Sequence, residues 1–157
     1  MAERKIINHA EDDILRKRSK EITNFDGRLH MLIDDMRDTM ESANGVGLAA
    51  VQVGALRRVV VMSLGEDGKV LEAVNPEITS TEGEETYIEG CLSVPGYSGN
   101  VTRPAKVILK AQDRFGKKYK RTLYELDARI ACHEIDHLDG KLFIDVATDV
   151  KKLEDSE

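Results

Sequence analysis

Two histidines at positions 133 and 137 have the spacing of metal ligands on a helix. An α-helix turns once every 3.6 residues, so side chains four residues apart leave the same face one turn apart. His133 and His137 could each give a ring nitrogen to one ion, and Glu134 stands where the H-E-x-x-H pattern has its general base. The segment predicts metal-assisted hydrolysis, and the third metal ligand decides the class of enzyme.

Cys91 is the candidate for that third ligand. It lies in the run Glu89-Gly90-Cys91-Leu92-Ser93, and a thiolate binds late first-row divalent ions strongly. No histidine follows His137, which disfavours the proteases that take a third histidine downstream. Two other interpretations stay open from these residues. One is a zinc peptidase with a distant carboxylate as third ligand, and the other is a non-enzymatic domain with a structural metal.

A glycine-rich segment from Gly45 to Gln52 is the third feature that could take part in chemistry. Gly45 and Gly47 permit close approach of the backbone, because glycine has no β-carbon. The side-chain amide of Gln52 is a neutral donor of the kind that stabilises a developing oxyanion. Neither of the two alternative interpretations explains this segment.

The order of these three segments along the chain is Gly45–Gln52, Glu89–Ser93 and His133–His137. In this order and at these separations they resemble the three motifs of the peptide deformylases. The resemblance extends to Ile14-Leu15-Arg16 and to Asn75-Pro76-Glu77, so it covers nearly the whole chain. It implies a metal-dependent hydrolase that removes the N-formyl group from the N-terminal formyl-methionine of newly made proteins and releases formate.

The resemblance also implies a role for individual residues. Glu134 is expected to be the general base, while the Gln52 amide and the Leu92 N–H hold the oxyanion. Glu89 and Arg103 are expected to form a buried ion pair that braces the cysteine loop. Substrate binding, including a methionine pocket, is expected to involve a larger set: Gly45, Val46, Gly47, Tyr87, Leu126, Arg129 and Ile130.

One divalent metal ion per chain is the implied cofactor, with Cys91, His133 and His137 as its ligands. The resemblance implies Fe²⁺ in the cell, replaceable by Zn²⁺, Ni²⁺ or Co²⁺. The implied partners are N-formyl-methionyl nascent peptides and the ribosome near its exit tunnel, with the enzyme itself a monomer.

Two residues depart from the pattern of the family. Cys132 stands where the family usually has Gln, and Val51 where many members have Pro. Cys132 is expected to be structural, because it points about 100° away from His133 on the helix. Asp136 is expected to be a solvated helix residue.

The elements that must position these residues follow from hydrophobic periodicity. Apolar residues recur at helical spacing from 27 to 42, and again where Leu126, Ile130, His133 and His137 share a face. Thr122 and Glu125 form a possible capping box before the second helix. Strands are expected over 58–62, 69–74, 79–88, 105–111 and 117–123, the last two as a hairpin. The prediction is an α+β fold in which antiparallel strands wrap around a central metal-binding helix.

Composition agrees with one globular domain over residues 1–157, with a flexible tail from about 149 to 157. The chain is 41% hydrophobic and 33% charged, which is typical of a folded domain. Its net charge of −6 argues against direct nucleic-acid binding, and the basic run Lys117–Arg121 is expected to be a solvated edge strand. The sequence has no secretory signal or membrane-length apolar run, and only two cysteines, so a cytoplasmic location is expected.

Overall fold

The computed structural model describes residues 2–65 and 68–152, in which three α-helices, two short 3-10 helices (Asp13–Arg16 and Ala50–Val53) and eight strands are found. The helices are α1 (Gly27–Ser42), α2 (Glu125–Leu138) and the short α3 (Phe143–Val146). The strands are β1 (Gly47–Ala49), β2 (Val59–Ser63), β3 (Val70–Glu82), β4 (Glu85–Cys91), β5 (Val94–Arg103), β6 (Lys106–Gln112), β7 (Lys118–Tyr124) and β8 (Thr148–Lys152). None of the helices in the described part of the chain is long and apolar enough to span a membrane.

A five-stranded antiparallel sheet lies between the two long helices. Its order is β1-β2-β3-β6-β7. Alternate residues of β2 point to opposite faces, so Val59 and Val61 pack with the α1 cluster while Val60 and Met62 pack with the α2 cluster. The strand is buried on both faces for this reason, which explains its uninterrupted apolar run.

Helix α1 confirms the helix predicted over 27–42. Asp26 caps it, since the carboxylate accepts a hydrogen bond from the Leu29 N–H at 3.1 Å. The apolar stripe through Leu29, Ile33, Met36 and Met40 is buried against the five-stranded sheet. Burial of that stripe, rather than helix propensity alone, accounts for most of the stability of such a helix.

The hairpin predicted from the two flanking runs is also confirmed. Strands β6 and β7 pair antiparallel, with Lys110 opposite Lys120. Asp113 closes the turn: its N–H donates to the Lys117 carbonyl at 2.9 Å, and its carboxylate accepts from the Lys117 N–H at 3.0 Å. Gly116 has φ of 89°, in the left-handed region that glycine tolerates.

A second antiparallel sheet, of order β4-β5-β8, carries the cysteine loop. The single strand predicted over 79–88 is wrong, because the chain turns within it. Gly83 adopts φ of 70°, which ends β3 at Glu82 before β4 begins at Glu85. Strands β4 and β5 are joined by a two-residue turn at Leu92 and Ser93, with Cys91 paired to Val94.

Helix α2 packs against both sheets, as the predicted fold class requires. The apolar cluster around it includes Val60 of the larger sheet, Val101 of the smaller sheet and Ala131 of the helix itself. The predicted capping box at its start is wrong, because Thr122 belongs to β7 and the cap residue is Tyr124, with no side-chain hydrogen bond. The Glu125 N–H instead donates to the Ala105 carbonyl at 2.7 Å.

Residues expected to begin a flexible tail form a strand. Strand β8 pairs with β5, with Tyr97 opposite Lys152. All five of its side chains are exposed, so no apolar pattern in the sequence distinguishes this strand from a tail. The remainder of the predicted tail, 153–157, lies outside the described residues.

Candidate active site

Helix α2 and the end of β4 bring the three predicted metal ligands together. The rings of His133 and His137 have centroids 5.0 Å apart on one face of the helix. Cys91 Sγ lies 3.3 Å from His137 Nε2. One ligand atom from each of the three residues falls within 4.8 Å of the other two. Two imidazoles and a thiol at this separation form a donor set that fits one divalent ion.

Glu89 orients the first histidine. The Nδ1 of His133 lies 2.9 Å from Glu89 Oε1, so this carboxylate fixes the ring and leaves the other ring nitrogen for a ligand. Arg103 donates to both Glu89 oxygens, from Nε and Nη2, each at 3.1 Å. Burial alone would raise the pKa of Glu89, but the hydrogen bonds from His133 and Arg103 lower it to about 2. The ion pair expected between Glu89 and Arg103 is present, and the same carboxylate also orients His133.

Two further residues complete this buried network. Asp136 was expected to be solvated, but its carboxylate accepts from Arg103 Nη1 at 2.6 Å. Arg129 donates to Glu89, to the Val101 carbonyl at 2.9 Å and to the Glu85 carbonyl at 2.7 Å. The guanidinium of Arg129 therefore connects α2 to both β4 and β5. Neither contact has a signature in sequence, because each joins segments far apart in the chain.

Glu134 is buried beside the glycine-rich segment. A β-carbon placed on Gly47 would lie 2.5 Å from Glu134 Oε2, so glycine is required there. Glu134 is 5% exposed, and its Oε1 has no hydrogen-bond partner among the described residues. Burial raises the pKa of Glu134 to about 7, and the nearby negative charge of Glu89 adds to this effect. A carboxylate with a pKa near neutrality is suited to accept and return a proton.

The pKa values of the two histidines are shifted in opposite directions. Burial would lower the pKa of His133, but the Glu134 carboxylate and the hydrogen bonds to Cys91 and Glu89 hold it well above its usual value. Burial, reinforced by positive charge at His133 and Arg103, holds the pKa of His137 well below its usual value. Binding of an ion requires the ligating nitrogen of each ring to be unprotonated, so the affinity of this group for an ion should depend on pH.

Gln52 is fixed at the edge of the metal-ligand group. Its Oε1 accepts from the Ala49 N–H at 2.9 Å, and its Nε2 donates to Ser93 Oγ at 3.1 Å. The same nitrogen lies 3.6 Å from Cys91 Sγ. Val51, at the position where many family members have proline, is fully buried in the core. The amide nitrogen of Gln52 thus lies beside Cys91, one of the three residues that could hold an ion.

Leu92 lies at the mouth of the site. It occupies the turn between β4 and β5, directly after Cys91, and its side chain is 36% exposed. Its Cδ1 lies 2.9 Å from the position that a β-carbon on Gly45 would occupy. The cysteine loop and the glycine-rich segment therefore touch, with Val46 exposed next to this contact.

A pocket of about 330 Å³ opens between β4 and the start of α2. It is lined by Glu85, Tyr87, Ile88, Glu125, Leu126 and Arg129. Three of the predicted substrate-binding residues line it (Tyr87, Leu126 and Arg129), whereas Ile130 is buried in the main core. Ile88, 73% exposed, was missed, although its position beside Tyr87 in an apolar pair was an available signal.

Cys132 is not one of the clustered ligands. Among the described residues, the group that could hold an ion comprises only Cys91, His133 and His137. Burial raises the pKa of Cys132 to about 11, so its thiol stays protonated at neutral pH. Its half-buried side chain packs against the main core, in agreement with the structural role predicted for it.

Comparison with known proteins identifies the same family throughout the chain. The family model described as polypeptide deformylase matches residues 4–153. A peptide deformylase of Caldicellulosiruptor bescii is 57% identical over 92% of this chain and 86% of its own length. One from Acetivibrio thermocellus is 54% identical over 90% and 82%.

Solved structures agree with this assignment. The crystal structure of a peptide deformylase from Legionella pneumophila matches with a TM-score of 0.89 and 48% identity, covering 94% of this chain and 88% of that one. The peptide deformylase from Thermotoga maritima matches with a TM-score of 0.89 and 37% identity, covering 94% and 99%. The chain described here belongs to the polypeptide deformylase family.

Proposed function

We propose that this chain hydrolyses the N-formyl group of formyl-methionyl nascent peptides, with Cys91, His133 and His137 as ligands of one divalent ion. The observation that carries the proposal is the convergence of these three side chains with Glu134 and Gln52. Membership of the deformylase family supplies the reaction, and the site supplies residues suited to each of its steps.

The ion would act as a Lewis acid that lowers the pKa of a water molecule toward neutrality. One thiolate and two imidazoles would give the ion three protein ligands, the number that catalytic rather than structural zinc-type sites provide. We propose Fe²⁺ as the ion in the cell, with Zn²⁺, Ni²⁺ or Co²⁺ able to replace it. The donor types suit several of these ions.

Glu134 moves the proton in this mechanism. A carboxylate oxygen of Glu134 would accept the proton of the attacking water and then deliver it to the departing amine of the peptide. Its buried position and raised pKa favour both transfers near pH 7.

Gln52 and Leu92 would hold the oxygen of the formyl group as negative charge develops on it. The Gln52 amide is already fixed by Ala49 and Ser93, so it need not reorganise during the reaction. Removal of one such donor typically costs about 3–4 kcal/mol of transition-state stabilisation. The backbone N–H of Leu92 is the second proposed donor.

The substrate is defined by the small formyl group and by methionine. A formyl carbon carries hydrogen in place of a side chain, so a narrow reaction site accepts it and excludes larger acyl groups. The pocket beside Tyr87, Leu126 and Arg129 is proposed to receive the methionine side chain. We propose that the enzyme acts in the cytoplasm as a single-domain monomer, near the exit tunnel of the ribosome.

Release of the free N-terminal amine from two matched peptides, together with formate from the formyl peptide, tests the proposal. Formyl-Met-Ala should be hydrolysed, and acetyl-Met-Ala far more slowly, because the acetyl methyl group has no room. Equal rates on both peptides, or cleavage of internal peptide bonds, would contradict the deformylase proposal and favour a general metallopeptidase.

A further inference from the structure

We propose that Ser93 is a positioning residue, which holds the Gln52 side-chain amide in the orientation that stabilises the oxyanion. The inference rests on the proposed function, because it assigns a role to a residue that acts through Gln52. Ser93 is the second residue of the turn between β4 and β5, and its side chain is fully buried.

A glutamine amide can rotate by half a turn and exchange its oxygen with its NH₂ group. In this chain the Ala49 N–H, 2.9 Å from Gln52 Oε1, defines which side is the oxygen. The NH₂ group must then lie on the other side, where the nearest acceptor is Ser93 Oγ at 3.1 Å. Ala49 and Ser93 thus hold the two ends of one planar group.

The hydroxyl of Ser93 also decides which N–H faces the metal ligands. Gln52 Nε2 has two hydrogens, and Ser93 Oγ accepts one of them. The amide is planar, so the direction of the second hydrogen is fixed as well. That second hydrogen lies on the side of Cys91, whose Sγ is 3.6 Å from Gln52 Nε2. The contact with the sulfur is weak, so the hydrogen remains available to a substrate oxygen.

The backbone of Ser93 is hydrogen-bonded to the N-terminal segment that contains Ile7 and His9. The His9 N–H donates to the Ser93 carbonyl at 2.8 Å, and His9 Nδ1 lies 3.2 Å from the same oxygen. Two residues earlier, the Ile7 N–H donates to the Gln52 carbonyl at 2.8 Å. One segment therefore anchors the backbones of both residues, so their side chains meet in a fixed geometry.

This arrangement makes the amide a preorganised donor. Without the hydroxyl, the amide would keep its bond to Ala49 but lose its partner on the nitrogen side. It could then tilt toward other acceptors, and small misplacements of a catalytic group reduce rates strongly. The loss would fall on kcat, because the donor acts mainly on the transition state.

Kinetics of Ser93→Ala test the inference. We expect kcat for formyl-Met-Ala to fall about 10-fold, less than the ~10²–10³-fold that follows loss of a whole oxyanion donor. The KM value and the bound metal should stay unchanged. In a Gln52→Leu background the same substitution should have no further effect, because the group that it positions is already gone.

Two variants separate the hydroxyl from general packing. Ser93→Thr retains the hydroxyl and should recover most of the lost kcat. Ser19→Ala is the matched control, because Ser19 is also buried but its Oγ has no hydrogen-bond partner within the described ranges. Three results would each overturn the inference. The first is a normal kcat in Ser93→Ala, and the second is an equal loss of kcat when Ser93→Ala is added to Gln52→Leu. The third is a Ser93→Thr variant as slow as Ser93→Ala.

A measurement independent of turnover completes the test. In the zinc-loaded chain, Ser93→Ala should shift the NMR signals of the Gln52 side-chain NH₂ and speed their hydrogen exchange, while Ser19→Ala should not. Unchanged Gln52 signals would overturn the positioning role, even in an active enzyme. If no formate is released by the wild type but the signals shift, the proposed function fails while the contact stands.

Discussion

Glu134 has two properties that rarely occur together in a carboxylate, namely deep burial and an oxygen that has no hydrogen-bond partner within residues 2–65 and 68–152. A structural carboxylate at such a depth would be hydrogen-bonded or paired. The unpaired oxygen instead leaves room for a reacting proton, and burial raises the pKa of Glu134 to about 7. Both properties point to proton transfer rather than to a contribution to folding.

Substitution of Glu134 should separate proton transfer from metal binding. We expect Glu134→Gln, which keeps the shape of the side chain, to retain the metal and to lose about 10²–10⁴-fold in kcat. His133→Ala should lose both the metal and the activity. Bound metal and formate release would be measured on the same preparations, and near-normal turnover by Glu134→Gln would show that another group is the base.

The two cysteines offer an internal comparison. Cys91 should resist a thiol reagent while the ion holds its thiolate and should react once a chelator removes the ion. Burial raises the pKa of Cys132 to about 11, so it should react slowly in both states. Mass spectrometry of the alkylated peptides would give both rates from one sample. Equal labelling of Cys91 with and without the chelator would argue that it is not a ligand.

The sequence predicted the residues whose spacing carries information and missed those that depend on distant contacts. His133, Glu134 and His137 follow from a local pattern on one helix. Asp136 lies in the same pattern and was expected to be a solvated helix residue, but its half-buried carboxylate is paired. Its partner, Arg103, is 33 residues away on a strand, so helix periodicity alone could not find the pair.

At the scale of elements, the β4–β5 hairpin and α2 are held together through Glu89. This carboxylate accepts from Arg103 on β5 and from Arg129 and His133 on α2. Breaking a buried charge network by removing one partner typically costs about 3–5 kcal/mol, because the remaining charges are left buried and unpaired. Glu89 therefore fixes the position of the His133 ring and also contributes to the stability of the fold.

This contribution should depend on pH. The pKa of Glu89 is about 2 in the folded chain, against a usual value of 4.5. Because the folded value is the lower one, the ionised carboxylate stabilises the fold fully above pH 4.5, and this stabilisation is lost as the pH falls toward 2. We expect Glu89→Gln to lower the free energy of unfolding at pH 7 by about 3–5 kcal/mol and the difference from wild type to shrink below pH 4.5.

Urea unfolding at several pH values would measure this difference. Glu85→Gln is the matched control, because Glu85 lies in the same strand and its carboxylate forms no ion pair among the residues that the structure describes. If the difference in free energy of unfolding between Glu89→Gln and wild type stays constant from pH 7 to pH 3, the ionised Glu89 carboxylate is not the source of that stability.

Helices and strands with one buried apolar face were predicted well, and those without such a face were predicted poorly. Helix α1 was found at its observed bounds, because its apolar stripe faces the sheet. The break between β3 and β4 was missed, since the turn depends on the left-handed backbone of Gly83 within an otherwise strand-like run. Strand β8 was missed because its pairing leaves every side chain exposed.

The whole molecule depends on pairings that no local pattern specifies. The order β1-β2-β3-β6-β7 inserts β3 between β2 and β6, while β4 and β5 leave for the second sheet. Hydrophobic periodicity predicted an α+β fold with antiparallel strands around a central helix, but it did not predict how the strands divide between two sheets. The division into two sheets emerges only from long-range contacts, which link residues such as Val101 and Val60 through one core.

A metal ion bound by Cys91, His133 and His137 should connect the smaller sheet to helix α2 and therefore stabilise the molecule. Cys91 belongs to the smaller sheet, while His133 and His137 belong to α2, so one ion would link the sheet to the helix. An ion at about 1,000 times its dissociation constant stabilises the folded state by about 4 kcal/mol. In a chain of 157 residues this corresponds to a rise in Tm of about 8–16 °C.

Removing the ion with a chelator should lower Tm by that amount, and adding a divalent ion back should restore it. Cys91→Ala should have a Tm close to that of the chelator-treated wild type, whether or not the ion is added, because two imidazoles alone would hold the ion weakly. Cys132→Ala should respond to the chelator as the wild type does, since Cys132 lies outside the ligand group. Scanning calorimetry with metal analysis on the same samples would measure this. If the metal is removed and Tm does not change, then the Glu89 network and the apolar core hold β4 and α2 together without the ion, and the ion serves catalysis without supporting the fold.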